Sequence, residues 1–303
     1  MSSSHQTILL TGATGMVGSW ISELLHTKKI KVKAIYNQNK QNDKNFEWIK
    51  MDLNGPIPDL APVLENVDIV IHNAACLHQG LTQDELSEIQ KVNVDFTKRL
   101  FNDAAQCQVR KIIFTSSFSM VKKPLPELID ENVNPEPLTP YAISKYIGEQ
   151  ILQEVSSKYK VNYSILRLSS PVNFNLKLMH RTVLKNWILK SMKGESIQVF
   201  GKGNRTQDFV AVSDIAKAFY SCIQKESING IFNIASGNSI SMVKLARLIT
   251  TKFRNKYEFS GIDENENDRW NISIDKAKRH LNYNPEYTSE SVISTLLEQT
   301  HVI

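Results

Sequence analysis

Apolar and polar positions along the first half of the chain fall into two alternating rhythms. Short apolar runs, TILL at 7–10, KVKAIY at 31–36, VDIVIHNAA at 67–75, RKIIFTSS at 110–117 and VNYSILRLS at 161–169, read as strands. Between them, VGSWISELLHTKK at 17–29, VNVDFTKRLFNDAAQCQ at 92–108 and a segment from 140 onward carry helical spacing. Strands separated by helices require crossover connections, so the pattern predicts parallel pairing in a doubly wound sheet. The strands are continuous apolar runs, as expected where helices cover both faces of the sheet.

After about residue 169 the rhythm breaks. A helical WILKSMKG, a strand-like IQVFGKG, the mixed run QDFVAVSDIAKAFYSCIQ, a strand GIFNIAS and a helical SMVKLARLITTKF follow, while IDENENDR at 262–269 reads as a solvated linker. The expectation is a nucleotide-binding domain over 1–168 and a smaller α/β lobe over 169–303. Residues of about 205–235 partly return to the first domain.

Composition narrows the function classes. The 303 residues are 41% hydrophobic and 22% charged, as in ordinary globular proteins, and the formal charge is only +5. There is no basic run with interleaved aromatics, which argues against nucleic acid, whereas a mild positive balance suits an anionic small molecule. Cys76, Cys107 and Cys222 are far apart and odd in number. They give neither a disulfide framework nor a zinc spacing, so no metal is expected and a reducing compartment is. No apolar run approaches a membrane span and MSSSHQ does not start like a signal peptide, which makes the cytoplasm the expected location.

The chemistry begins at TGATGMVG, 11–18. Three glycines, Gly12, Gly15 and Gly18, lie between a strand and an amphipathic helix. In that context Gly12 makes a tight turn, Gly15 lets the backbone approach a pyrophosphate and Gly18 lets the helix pack on the strand. The unpaired N–H groups and dipole at the helix N-terminus then favour phosphate. TGATGMVG resembles the glycine motif of the extended short-chain dehydrogenase/reductase family of the NAD-dependent epimerase/dehydratase type. MDL at 51–53, NAA at 73–75, VNVD with Asn93, TSS at 115–117, YAISK at 141–145 and GKGNRTQDFVAVSDIA follow in the family's order, over nearly the whole chain. The resemblance implies a Rossmann-like α/β fold, a doubly wound parallel sheet with a smaller C-terminal α/β substrate-binding lobe. It also implies NAD or NADP held by Gly12, Thr14, Gly15, Met16, Val17, Gly18, Asn37, Asp52, Leu53, Asn73, Ala74, Ala75, Asn93, Tyr141, Lys145 and Pro171.

In TPYAISKYIGEQ, Tyr141 and Lys145 are four apart and share a helix face, with Thr139 as N-cap and Pro140 in the first turn. A phenol is a poor base at neutral pH, and a neighbouring ammonium lowers its pKa. By resemblance Ser117 is the catalytic serine that hydrogen-bonds the substrate oxygen, and Lys145 also holds the cofactor ribose. The family's 4,6-dehydratases carry an Asp-Glu pair where this chain has Phe118 and Ser119, and its 3,5-epimerising members use a cysteine where Ser119 stands. What remains is hydride transfer at a sugar carbinol, in a 4-epimerase or a 4-ketoreductase. The family helices corresponding to roughly 93–107 and 140–155, with Ile147 and Ile151, imply a homodimer.

Several positions depart from the family. The strand ending in Tyr36-Asn37 lacks the usual aspartate, so nothing obvious repels a 2′-phosphate, and Lys40 is close by; NADP should be tolerated beside NAD. Val172 and Asn173 replace the common Tyr-Gly of the substrate loop. Gln207 stands where nucleotide-sugar members place a diphosphate arginine, with Arg205 two residues earlier on the same strand face and Arg269 resembling the second such arginine. His180 is a candidate substrate-loop acid. The ligand expected is a nucleotide sugar. The alternatives are reduction of a non-nucleotide ketone, as in dihydroflavonol or hydroxysteroid reductases, and a non-catalytic NAD(P)-sensing interaction protein.

Overall fold

The computed structural model describes residues 6–38, 46–78 and 82–300. Lys40 lies outside the described residues. Through the first half run β1 (Thr7–Thr11), α1 (Gly18–Thr27), β2 (Lys31–Tyr36), β3 (Phe46–Lys50), a single turn α2 (Ala61–Leu64) and β4 (Ile69–His72). Then come α3 (Gln83–Ile89), a π-helical segment at Gln90–Asp95 that leads into α4 (Phe96–Gln106), β5 (Lys111–Ser117), α5 (Pro140–Tyr159) and β6 (Asn162–Leu168). The helix expected over 92–108 therefore opens with a π-helical turn.

The second half holds β7 (Ser170–Val172), α6 (Val183–Met192), β8 (Ile197–Phe200), β9 (Thr206–Gln207) and β10 (Phe209–Ala211). It continues with α7 (Val212–Gln224), β11 (Gly230–Ile234), β12 (Ile240–Ser241), α8 (Met242–Phe253), β13 (Tyr257–Ser260), α9 (Asp275–Leu281) and α10 (Ser289–Gln299).

Seven strands form one sheet in the order β11-β6-β5-β4-β1-β2-β3, and every pairing in it is parallel. The chain starts in the middle and works outward in both directions. Strand order therefore reverses between β1 and β4, and the crevice beyond their C-terminal ends is where such sheets bind ligands. β4 is buried at every position, as a strand covered on both faces must be. On one face Ile21 and Leu25 of α1 pack with Ile215 and Phe219 of α7. On the other, Phe96 and Leu100 of α4 pack with Leu152 and Val155 of α5.

The late strand β11 pairs with β6 and closes that side of the sheet. A third core, with Trp187, Leu245, Ile249 and Leu296, joins α6, α8 and α10 around the small pairs β7–β10, β9–β12 and β8–β13. The acidic run at 262–269 is not merely a solvated linker. Glu266 accepts the N–H groups of Lys202 and Asn204, Asp263 pairs with Arg205, and the buried Asp268 pairs with Lys123 at 2.9 Å. Backbone donors left open by the tight turn at 201–204 find their acceptor in Glu266, which holds the loop beside the end of β8.

Candidate active site

The glycine turn joins β1 to α1 at the switch point. Gly12 has φ of +68°, and a Cβ there would come within 2.8 Å of the Ala74 nitrogen. A Cβ on Gly18 would lie 1.9 Å from the Gly12 carbonyl oxygen, so only glycine lets α1 sit so close to the turn. No side chain caps the N-terminus of α1. That end remains free to bind an anion.

The loop after β4 is pinned beside this turn. Thr11 Oγ1 accepts the backbone N–H groups of Asn73 at 3.2 Å and Ala74 at 3.1 Å. With both lone pairs engaged, the Thr11 hydroxyl donates to His72 Nδ1 at 2.8 Å, and His72 Nε2–H donates to Thr97 at 2.8 Å. His72 is thus a neutral, fully buried strut. Burial first, and the charge of Lys145 second, pull its pKa down to about 3. Asn73 completes the brace, accepting from Thr115 at 3.0 Å.

Ser117 closes β5, and α5 begins with Thr139 accepting from the Ala142 N–H and Pro140 in its first turn. That start places Tyr141 in the same cleft wall as Ser117. Desolvation pushes the Tyr141 phenol up to about 12, with the Ser117 hydroxyl working in the opposite direction. Lys145 is buried one turn on. Its Nζ donates to the Thr115 carbonyl at 2.9 Å and lies 5.9 Å from the centre of the Tyr141 ring. Burial brings the Lys145 ammonium down to about 7, while Glu149 works in the opposite direction. Glu149 is itself fully buried and accepts from Ser116 at 2.6 Å and from Arg167 at 3.0 and 2.8 Å.

The glycine turn, Asn73, Ala74, Ser117, Tyr141 and Lys145 face one cleft of about 780 Å³. Of the cofactor residues expected from sequence, Gly12, Thr14, Gly15, Met16, Val17, Asn37, Leu53, Asn73, Ala74, Ala75, Tyr141, Lys145 and Pro171 line it, as do Ser117, His180 and Gln207. Gly18 stands behind the turn, for the packing reason given above. Asp52 is outside the wall, but its carboxylate accepts from Asn37 at 3.4 Å. The position after β2 therefore does have an acid beside it, brought from the end of β3.

Asn93 does not reach the cleft either. Its amide clasps the backbone of Cys76 from both sides, at 2.8 and 2.9 Å, and donates to Ser144 at 3.0 Å. Arg205 and Arg269 are likewise held elsewhere. Arg205 pairs with Asp263 at 3.0 Å, and exposed Arg269 donates to the carbonyls of Glu266 and Asp268. Gln207 turns inward and donates to Ser170 at 2.7 Å.

Sequence reasoning passed over Arg181, which lines the cleft beside His180 just before the Thr182 cap of α6. The available signal was its place next to a singled-out histidine at a helix start. Among the described residues, Lys145, His180 and Arg181 are the basic side chains of the wall, and no carboxylate lines it. An apolar cleft with a guanidinium and no acid suits an elongated anionic ligand. The bare α1 terminus and the close backbone approach at Gly12 fit a dinucleotide.

Comparison with known proteins agrees with this geometry. A model of the NAD dependent epimerase/dehydratase family matches residues 8–235. A Methanocaldococcus jannaschii protein provisionally named a UDP-glucose 4-epimerase is 30% identical over 287 residues, covering 92% of this chain and 93% of the relative. The structure of UDP-glucose 4-epimerase from Thermotoga maritima with UDP-glucose superposes with a TM-score of 0.85 at 21% identity, covering 97% and 98% of the two chains. That of UDP-glucuronic acid 4-epimerase from Bacillus cereus, with UDP-glucuronic acid and NAD, gives 0.84 at 20% identity over 98% and 100%. The family model spans both the glycine turn and the serine–tyrosine–lysine cluster, and this chain belongs to the NAD dependent epimerase/dehydratase family.

Proposed function

We propose that the chain is an NAD-dependent 4-epimerase of a nucleotide-activated sugar. The observation that carries this is the convergence of Ser117, Tyr141 and Lys145 with the glycine turn on a single cleft whose wall bears cations and no acid. NAD, when bound, supplies a reversible hydride acceptor. Gly12, Gly15, Met16 and Val17 at the α1 terminus hold its pyrophosphate, Asn37 with Asp52 behind it meets the adenosine ribose, and Lys145 meets the ribose near the reacting end.

Ser117 donates a hydrogen bond to the reacting sugar hydroxyl, and, once the Tyr141 phenol has released its own proton to solvent, the proton of that hydroxyl passes to Tyr141 Oη. Burial holds the Tyr141 phenol above its usual pKa in the free protein, so Lys145, in its protonated form one turn away, is the group in this chain that favours the phenolate. Position 118 supplies no acid or base for dehydration, because Phe118 is buried with its ring edge-on to Trp270. Ser119 lines the cleft but is a poor proton donor for 3,5-epimerisation. Arg181, with His180 beside it, meets the diphosphate; a guanidinium fork matches its oxygens. The relatives named for 4-epimerisation support the same reading.

The test is mass spectrometry of the purified protein followed by a screen of UDP-, GDP-, CDP- and dTDP-sugars with and without added NAD(H). Retained NAD and turnover without added cofactor are the expected result. If all four classes fail to bind, the small-ketone reductase is the better account.

For assembly, we propose pairing of two copies through α4 and α5. Ile143, Ile147 and Ile151 form a stripe along α5, and Ile143 is 42% exposed. Light scattering at micromolar concentration should give the mass of a dimer, and a monomer mass rejects it.

A further inference from the structure

We propose that Cys76, His78 and Glu88 form a binding site for a thiophilic divalent metal of the zinc type, on the outer side of the loop that walls the cofactor cleft. Donor atoms of these three side chains all lie within 4.8 Å of one another. Their chemistry is mixed sulfur, nitrogen and oxygen, the set that favours zinc over magnesium or calcium. Cysteine spacing could not reveal it, because the ligands come from a loop and from a helix that follows it.

Two further observations separate this cluster from an accidental ion pair. First, the sulfur is held in place before any metal arrives. Asn93 grips both the N–H and the carbonyl of Cys76, and the Cys76 side chain is buried against Ile89 and Val92. Metal binding releases the thiol proton to solvent.

Second, the imidazole is oriented as a metal ligand is. His78 Nε2 lies 2.9 Å from Glu88, whereas Nδ1 faces Glu85 at 3.6 Å. A metal placed between Nε2, the Glu88 carboxylate and the sulfur leaves Nδ1–H facing the Glu85 carboxylate, on the pattern of the carboxylate–histidine pairs that fix tautomer and ring orientation in metal sites. Glu85 and Glu88 are one turn apart on α3, so both reach the same side. Ligand–metal distances of about 2.0–2.3 Å need only small rotations of the half-exposed His78 and Glu88 side chains. The fourth position is open to water.

The consequence is local. Ala75 and Leu77, on either side of Cys76, line the cleft. A metal here fastens that wall to α3 without touching Ser117, Tyr141 or Lys145.

The experiment uses the whole chain, freed of metal with a chelator and titrated calorimetrically with zinc chloride alone, with cobalt(II) as a spectroscopic stand-in. One zinc per chain is expected, with cobalt giving the near-ultraviolet thiolate-to-metal charge-transfer band. Cys76→Ser should abolish that band. His78→Ala, at a half-exposed position that threatens no core, should weaken zinc by at least the roughly 10–100-fold that losing a supporting partner costs a metal site. Cys107→Ser, at an exposed cysteine elsewhere, should change neither readout. No stoichiometric zinc uptake, a cobalt spectrum without the thiolate band, or binding unaltered in His78→Ala overturns the proposal.

Discussion

Glu149→Gln separates the support beneath the active site from the site itself. Glu149 sits one helical turn beyond Lys145 and takes three hydrogen bonds, one from Ser116 and two from Arg167, in a place closed to water. Neutralising it leaves the Arg167 guanidinium, itself 4% exposed, without its counter-charge. Breaking a buried pair in this way costs about 3–5 kcal/mol. The glutamine oxygen still accepts one guanidinium N–H, which places the expected loss near ~3 kcal/mol, the low end of that range. Against a whole-protein stability of about 5–15 kcal/mol, urea unfolding followed by circular dichroism resolves such a loss easily. The same change removes the charge that sustains Lys145, so an ammonium already at about 7 should deprotonate at still lower pH, read from carbon-13-labelled lysine. Pairing Glu149→Leu with Arg167→Met should recover most of the stability, since a buried ion pair replaced by apolar groups is often neutral. A loss below about 1 kcal/mol in the single variant would refute the argument, because Arg167 must then find other compensation.

Three further outcomes are expected. Tyr141→Phe should lower turnover by about 10²–10⁴-fold while NAD still binds, and wild-type activity would remove Tyr141 from the proton path. Asp52 stands beside Asn37, so calorimetry should show NAD bound at least about tenfold more tightly than NADP, a preference that narrows in Asp52→Asn; equal affinities in the unmutated protein contradict this. His72 is neutral when folded and binds a proton below about pH 6.5 when unfolded, so stability is full above 6.5 and declines as pH falls toward 3, by about 5 kcal/mol in all. The acid limb of stability should therefore flatten in His72→Gln, and an unchanged limb assigns acid lability to other groups.

The alternation of strands and helices was legible because both sheet faces are covered, which writes β1, β4, β5 and β6 as largely apolar runs. β3 was not, since FEWIK lies at the sheet edge and mixes buried with exposed positions. β7, β9, β10 and β12 span two or three residues each, too few for any period to register. The glycine turn and the Ser117, Tyr141 and Lys145 cluster were readable because their contacts are local or fixed by element ends. Arg205 shows where that reasoning stops. Strand alternation put it on the side of Gln207, yet Asp263, far along the chain, draws its guanidinium away. The π-helical turn gave no sign in the sequence, and with it the grip of Asn93 on Cys76 was hidden.

The position of β11 has a bearing on biosynthesis. The strand that flanks β6 is not made until residues 230–234, after most of the smaller lobe's first half has already been translated. Until then a growing chain carries β6 as an open edge, the kind of surface that recruits other strands. Lys111, buried in β5, also lacks its acceptors, the carbonyls of Lys225 and Ile228. A fragment ending at residue 168 would stop in that unfinished state, with a buried cation unpaired and a sheet edge exposed. The two halves, separable on paper, are tied together, because the nucleotide-binding sheet takes its last strand from the far side of the chain.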